Sequence, residues 1–329
     1  MQTTTNGLSN QQISQFWEEG YVIVDDVFDP DDLEPLRLDL EREIGIKIDD
    51  LVRDGAVTES YPDEPFERRL TRIYHDSKEN GEAIMRRLEG VSGGGYQGHG
   101  MFDLLTHPKL LDTVDRLVGS EIVASSAYRI RPKVPGVGRG DVPWHQDSGY
   151  FAPHCDEHLI LTCWIPLVDA TVENGCMEII PRAHRSGILE HHTGGNMGLY
   201  VIKDDDLPAD HDGDVPDRVV AACRRGGVVF MTNLTPHCST PNYSDTIRWS
   251  VDLRFQSAAA PNNAGLWPDQ SEADGQENIQ IACYPPEADF VVRSEADPQS
   301  VVDFEGFVRR REAYESLAGG TPRQWDPVA

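Results

Sequence analysis

Five short apolar runs in the middle of the chain constrain its fold more than any other feature. They lie between Ile122 and Phe255 and are separated by the turn sequences PGVGRG, ENG and RRGG. The runs are IVASSAYRIR, LILTCWIPLV, CMEIIP, GVVFMT and RWSVDLRF. Runs of this length, rich in β-branched and aromatic residues and bounded by glycine and proline, predict β-strands. A series of such strands favours a β-sandwich or barrel.

Helical patterns precede these strands. Ser9 is predicted to cap a short helix through Phe16 and Trp17 that ends at Gly20, and the following YVIVDDV is typical of a buried strand. Asp29 is predicted as the cap of a second helix with leucines at helical spacing, which are Leu33, Leu36 and Leu40. Thr106 is predicted to cap a third helix, which runs to Val118. Helices first and strands afterwards predict a mainly β fold with helices packed on one side.

The chain is predicted to form a single domain, residues 1–329. Residues 10–120 form its helical support region, 121–257 its β core, and 258–329 a C-terminal extension. A long polar insertion at 186–217 interrupts the core. We expect this insertion and the glycine-rich stretch at 92–100 to border the pocket as mobile loops, because long polar loops carry function at the mouths of barrels.

The formal charge of -27, from 56 acidic and 29 basic side chains, argues against nucleic acid as a partner. A chain this acidic is repelled by a phosphate backbone unless it carries a dense basic patch, and the sequence contains none. The N-terminal residues lack the pattern of a signal peptide, and no apolar run approaches the length of a membrane span. The six cysteines form no CxxC pair, so free thiols in the cytoplasm are expected.

The segment VPWHQDSGYF places His145 and Asp147 two positions apart, where an extended chain puts both side chains on one face. The pair alone fits an ordinary solvated strand end as well as a metal site. A third candidate, His237, follows the run GVVFM, and Arg248 comes eleven positions later at the start of another run. Since all four residues lie where strands begin or end, we expect the mouth of a barrel to gather them.

The residue types suggest which metal such a site would hold. Two neutral imidazoles and one carboxylate on one face of a metal suit Fe(II) and leave three coordination positions open. A nearby guanidinium is a receptor for a carboxylate, which it can bind through two hydrogen bonds. Together these residues predict a site for iron and a dicarboxylic co-substrate.

These residues resemble the phytanoyl-CoA dioxygenase family of Fe(II)/2-oxoglutarate-dependent oxygenases. The resemblance rests on HQD at 145–147, HCS at 237–239 and Arg248. It extends to EEGYVIVDDVF and to CWIPLVDATVENGCMEIIPRAHRSG, and it covers roughly residues 10–257. The resemblance implies a double-stranded β-helix, the jelly-roll or cupin-like fold, buttressed by the N-terminal helices. RRGGVVF departs from the family pattern, which often has an acidic residue where this chain has glycine.

The resemblance also implies roles for individual residues. It makes His145, Asp147 and His237 the catalytic metal ligands and Arg248 the residue that grips the distal carboxylate of 2-oxoglutarate. Ser239 is expected to assist Arg248, and Trp164 to lie near the co-substrate. The implied reaction uses Fe(II), 2-oxoglutarate and O2, with ascorbate as a reductant in vitro. It hydroxylates an unactivated C–H bond of a small-molecule metabolite and releases succinate and CO2.

Two other classes of function remain open at this point. One is a non-oxygenase metal-dependent jelly-roll enzyme, such as a hydrolase or an isomerase, and the other is a catalytically silent binding module. Arg248 favours the oxygenase, because a hydrolase does not need a buried arginine facing the open side of the metal. A carboxylate at position 147 disfavours halogenation, because related halogenases have a small residue there. The sequence leaves the substrate and the oligomeric state open.

Several other polar residues have two interpretations each. His154 and His158 could bind zinc, but the neighbouring Pro153 and acidic residues favour a solvated loop. His191 and His192, in the insertion, either touch substrate or lie exposed. The charge run Asp204, Asp205 and Asp206 is expected to be solvated surface. Trp144 and Tyr150 flank the metal pair and either pack in the core or line the pocket.

Three basic residues near the predicted site also carry expectations. Arg131 and Lys133 share a strand face, where they either hold an anionic group of the substrate or pair with carboxylates. Arg254 lies on the same strand face as Arg248 but about 20 Å further along. On that distance we expect Arg248, and not Arg254, to serve the metal-bound co-substrate.

Overall fold

A computed structural model describes most of the chain: residues 7–89, 96–138, 140–151, 153–193, 199–208, 217–260, 290–317 and 325–326. Most of the extension predicted at 258–329 lies outside these ranges. So do parts of the loops predicted at 92–100 and 186–217, so their expected mobility stays a prediction.

Two antiparallel sheets form the β part of the fold. The strands of the larger sheet are β1 (Tyr21–Val24), β2 (Ile122–Ala124), β3 (Arg129–Lys133), β4 (Leu161–Pro166), β7 (Val228–Met231), β9 (Arg248–Ser257) and β10 (Phe290–Arg293). Their order is β1-β7-β4-β9-β2-β10, with β3 also paired to β9. The smaller sheet has the order β6-β5-β8 and consists of β5 (Met177–Ile179), β6 (Val219–Ala221) and β8 (His237–Ser239). Side chains from both sheets line one cavity, as in a jelly roll.

Helices cover the outer face of the larger sheet. They are α1 (Asn10–Glu19), α2 (Glu34–Arg53), α3 (Phe66–Asp76), α4 (Lys78–Glu89), α5 (His99–Leu105), α6 (Pro108–Val118) and α7 (Phe304–Leu317). The predicted class, mainly β with flanking helices, is confirmed. No helix in the described ranges is both long enough and apolar enough to cross a membrane. The described cysteines are all buried and form no disulfide; they are Cys155, Cys163, Cys176, Cys223 and Cys238.

The ends of the first helices follow the predicted capping residues. The Ser9 hydroxyl accepts a hydrogen bond from the Gln12 N–H, and the Gln12 side chain accepts one from the Ser9 N–H, which closes a capping box. Gly20 ends α1 at a φ of 85°, a conformation that favours glycine. Asp29 precedes a 3-10 turn, Pro30–Leu33, that leads directly into α2.

The prediction that Thr106 caps the third helix is wrong. The Thr106 hydroxyl donates back to the carbonyl of Phe102, 2.7 Å away, so Thr106 belongs to the end of α5. His107 takes the N-cap position of α6, and Pro108 fills its first turn. Proline suits that turn because its missing N–H would have no partner there.

The strand β9 is buried on both faces and joins the helical layer to the interior. Its apolar side chains, which are Trp249, Val251, Leu253 and Phe255, belong to the same cluster as the Leu33, Leu36 and Leu40 face of α2. The Trp249 ring also stacks on Phe66, with the ring centroids 4.9 Å apart. The alternate polar residues of β9 therefore point into the space between the two sheets.

Leucines two positions apart on α2 provide a test of this packing. Leu40 is fully buried, whereas Leu38 is 56% exposed. Leu40→Ala should lower the free energy of unfolding by about 2–5 kcal/mol, because it leaves a cavity beneath the sheet. Leu38→Ala should change it by less than about 0.5 kcal/mol. Urea unfolding monitored by tryptophan fluorescence measures both, and similar losses for the two variants would contradict this packing.

Candidate metal centre

The predicted triad converges in the structure. His145, Asp147 and His237 each offer one ligand atom, these atoms lie within 4.8 Å of one another, and all three residues are buried. The His145 Nε2 atom is 3.9 Å from the nearer carboxylate oxygen of Asp147. Among the described residues, no other group of three or more histidine, cysteine, aspartate or glutamate side chains lies close enough together to hold a metal ion.

Backbone pairing sets the two histidines opposite each other. His145 and His237 exchange two backbone hydrogen bonds of 3.0 and 2.9 Å, so the segment before Gln146 runs antiparallel to β8. Their rings lie on one side of this bridge, with centroids 4.2 Å apart. Asp147 begins a 3-10 turn, Asp147–Tyr150, that bends the chain back so that its carboxylate joins the two rings.

Hydrogen bonds fix which nitrogen each histidine presents. The Nδ1 atoms of His145 and His237 lie 2.9 Å from the carbonyl oxygens of Pro143 and Thr235, respectively. Because a carbonyl only accepts, each Nδ1 carries the proton and each Nε2 has a lone pair for a metal. Burial and the neighbouring His237 lower the pKa of His145 to about 3, so this imidazole is neutral at physiological pH. The donor set fits a divalent iron with open coordination positions.

Arg254 holds the carboxylate of Asp147. Its Nη2 and Nε donate to the two oxygens of Asp147 at 2.8 and 3.2 Å, and the Thr162 hydroxyl donates to one of them as well. Burial by itself would raise the pKa of Asp147, but the Arg254 guanidinium keeps it well below its usual range. Strand alternation predicts that Arg254 points inward, and Asp147 meets it because the segment after His145 folds over this end of β9.

Arg248 is a buried cation without a carboxylate partner among the described residues. It is 2% exposed, and its guanidinium lies over the ring of Trp164, 5.2 Å from the ring centroid. Its Nη1 donates to the Ser250 hydroxyl, while its Nε has no hydrogen-bond partner. Burial, followed by the nearby Arg131, lowers the pKa of Arg248 to about 10. A buried donor of this kind is costly unless a ligand completes its hydrogen bonds.

Ser239 lies near Arg248 but is bonded elsewhere. Its hydroxyl accepts hydrogen bonds from Lys133 Nζ at 2.9 Å and from the Val142 N–H at 3.0 Å, and it donates to the Gly140 carbonyl. Lys133 is fully buried and is the cross-strand neighbour of Arg248. Ser239 therefore anchors Lys133, and the hydroxyl that accepts from Arg248 is that of Ser250. The spacing Arg-x-Ser on one strand could have identified Ser250 from the sequence.

Two adjoining cavities flank the triad. One, the Trp164 cavity, has a volume of 40 Å³ and is lined by Trp164, Met177, Ser239 and Arg248. The other, the Tyr150 cavity, has a volume of 180 Å³ and is lined by Ala127, Arg129, Tyr150, Phe151 and Leu199. Both cavities share a set of lining residues, which are Arg131, Val142, His145, Asp147 and Arg254. The triad therefore faces a small compartment that contains the unpaired arginine and a larger, more aromatic one.

His191 and His192 are buried, so the interpretation that they lie exposed is wrong. His191 Nε2 accepts a hydrogen bond from the Gln146 N–H at 3.0 Å, and His192 Nε2 lies 2.8 Å from a carboxylate oxygen of Asp206. Gly149 permits the approach of His191, since a Cβ there would lie 2.6 Å from Nε2. His191 thus ties the insertion to the segment that carries His145 and Asp147, whereas His192 bonds within the insertion.

The remaining candidates differ in their surroundings. Trp144 packs in a separate apolar cluster, whereas Tyr150 lines a cavity of the site. The segment around His158 forms a 3-10 turn, Pro153–Glu157, and no metal group among the described residues includes it. Lys133 and Arg131 both pair with carboxylates, those of Asp141 and Asp252.

The Arg254 contact predicts a defect in metal binding rather than in co-substrate binding. Arg254→Met should leave the carboxylate of Asp147 unclamped and weaken Co(II) binding, measured by calorimetry with the metal alone, by about tenfold or more. Arg254→Lys should recover part of this affinity because it keeps one charge beside Asp147. If Arg254→Met binds Co(II) like the wild type, the clamp has no role in holding the metal.

Comparisons with known proteins show which family the chain resembles. The family model of phytanoyl-CoA dioxygenase (PhyH) matches residues 16–250. The phytanoyl-CoA dioxygenase domain-containing protein 1 of Danio rerio is 24% identical over 261 residues, which are 73% of this chain and 87% of that protein. The 1-deoxypentalenic acid 11-beta-hydroxylase of Streptomyces arenae is 27% identical over 180 residues, 52% of this chain and 62% of that protein.

One solved structure shares the fold at lower identity. The non-heme monooxygenase ThoJ, in its apo form, superposes with a TM-score of 0.54 at 16% identity and covers 92% of this chain and 97% of its own. The family match spans most of the chain and includes the triad, Trp164, Ser239 and Arg248. This protein therefore belongs to the phytanoyl-CoA dioxygenase family.

Proposed function

We propose that this enzyme of the oxygenase class is an Fe(II)- and 2-oxoglutarate-dependent hydroxylase. It inserts oxygen into an unactivated C–H bond of a small-molecule substrate and releases succinate and CO2. In this proposal His145, Asp147 and His237 hold the iron, and Arg248 binds the distal carboxylate of 2-oxoglutarate. When bound, the iron supplies the oxidising chemistry, with O2 as the oxidant.

The unpaired, buried Arg248 carries this proposal. It lies in the same cavity as the triad, it stacks on Trp164, and its Nε lacks an acceptor. A carboxylate bound there gains charge-assisted hydrogen bonds in a buried site. A hydrolase or an isomerase on this fold does not need such a receptor, and a silent binding module does not need a clamped carboxylate beside two oriented imidazoles.

The protein contributes position and protonation state. Arg254 and Thr162 hold Asp147 ionised and aimed, and the carbonyls of Pro143 and Thr235 keep both imidazoles in the tautomer that a metal needs. The Tyr150 cavity lies beside the triad and has room for an organic molecule. Hydroxylation is also the reaction that the similar Streptomyces arenae protein is named for, which supports it over other outcomes of the same chemistry.

Loss of a triad histidine should abolish turnover. Wild-type protein supplied with Fe(II), ascorbate and 2-oxoglutarate should form succinate, because the proposed reaction decarboxylates the co-substrate. His145→Ala should form none, since the metal loses one of its three protein ligands. Chromatographic assay of succinate measures both, with His158→Ala as a control outside the site. Iron-dependent succinate formation by His145→Ala would contradict the proposal that the triad holds the iron.

Replacement of Arg248 should affect the co-substrate and not the metal. Arg248→Met should raise the KM for 2-oxoglutarate by about tenfold or more, the value of a charged hydrogen-bonded contact, while Co(II) affinity stays within about twofold. The exposed Arg224 offers a matched control, and Arg224→Met should change neither quantity. An unchanged KM in Arg248→Met would place the co-substrate elsewhere.

A further inference from the structure

The Tyr150 cavity differs in charge from the rest of the molecule. The chain carries a formal charge of -27, yet three arginines line this cavity: Arg129, Arg131 and Arg254. Asp147 is the single acidic side chain among the described residues that line it, and this carboxylate is already held by Arg254. The wall of this cavity therefore presents more arginines than carboxylates among the described residues, in a protein that is acidic as a whole.

Arg131 is held in a way that leaves part of its guanidinium available. Its Nε and Nη2 donate to the two carboxylate oxygens of Asp252 at 2.8 and 3.4 Å. Asp252 is itself shared with Arg254, 3.3 Å away, so it does not compensate Arg131 alone. The Nη1 of Arg131 forms no hydrogen bond or ion pair with any described residue, and the side chain is 30% exposed. The contact with Asp252 thus fixes the plane of the guanidinium and leaves donors for a ligand.

The rest of the cavity wall is apolar or aromatic. Ala127, Val142, Phe151 and Leu199 contribute carbon surface. Tyr150 is held in place because its ring stacks on Tyr200, with centroids 4.6 Å apart, and its hydroxyl accepts the Tyr200 N–H. The volume of 180 Å³ is far more than one water needs, so the space suits a small organic molecule.

From these features we infer that the substrate is a small molecule with an apolar body and a carboxylate, and that Arg131, with Arg129 beside it, binds the carboxylate. The inference rests on the proposed function, because it takes the Tyr150 cavity as the substrate side of the triad. The apolar body would lie along Phe151 and Leu199, between the arginine and the metal. The long-range field of the acidic chain repels an anion, so a local arginine is what allows one to bind.

Matched carboxylates and amides test the inference. The protein is loaded with Co(II) in place of iron, which prevents turnover. Saturating 2-oxoglutarate is added so that Arg248 is occupied. Octanoate and octanamide, and then 4-phenylbutyrate and 4-phenylbutyramide, are titrated while the visible absorption of Co(II) is recorded. Each carboxylate should bind about tenfold more tightly than its amide, the value of charge-assisted over neutral hydrogen bonding.

Variants assign that preference to Arg131. Arg131→Met should reduce the carboxylate-to-amide ratio to near one while the affinity for 2-oxoglutarate is retained. Arg131→Lys should restore part of the ratio, and the exposed Arg224→Met should keep all of it. A merely structural role of Arg131 would weaken both probes equally and leave their ratio unchanged.

Three results would overturn the inference: equal affinity for acid and amide, no binding of any carboxylate, or a preference that survives Arg131→Met. Failure of the proposed function gives a different result, since 2-oxoglutarate would then not bind to the Co(II)-loaded wild type. In that case the same titration with Co(II) alone still decides whether Arg131 selects carboxylates.

Discussion

The burial of β9 on both faces is the constraint on which the rest of the structure depends. Its apolar face closes the helical layer, which forces the opposite side chains, charged ones included, into the space between the sheets. Buried charges are tolerated only when they are paired and hydrogen-bonded. The interior therefore contains a row of alternating charges that runs from Asp147 through Arg254 and Asp252 to Arg131. This row places an ionised carboxylate beside two imidazoles.

Arg248 stands apart from this row, and that exception divides the site into two sides. On one side, the Arg248 guanidinium lies over Trp164 and forms no ion pair with a carboxylate of the described residues, so it has donors available for an anionic ligand. On the other side, Arg131 closes the row at the wall of the Tyr150 cavity. The candidate triad lies between the two compartments, so under the proposed function the co-substrate and the substrate would approach it from different sides.

The segment that carries His145 and Asp147 is also fixed by the hydrogen bonds of Gln146. Gln146, between two of the metal-binding candidates, donates through its side-chain amide to the carbonyls of Gly187 and Leu234 and accepts from the Leu189 N–H. Its own N–H donates to His191. The insertion and the β-core thus grip the same residue, so the geometry of the triad depends on packing that the HQD motif alone does not contain.

The sequence by itself determined the fold class and the alternation of β9, and it singled out His145, Asp147, His237 and Arg248 as candidates, because each of these depends on local periodicity or on residue type. It did not determine the partners of Arg254, Ser239 and His191. Those partners come from strands and loops far apart in the chain, and a distance counted along one strand says nothing about what folds over it. Only the tertiary structure brings Arg254 to the carboxylate of Asp147, because the segment after His145 bends across the inner face of β9. It also places Arg131 at the wall of the Tyr150 cavity.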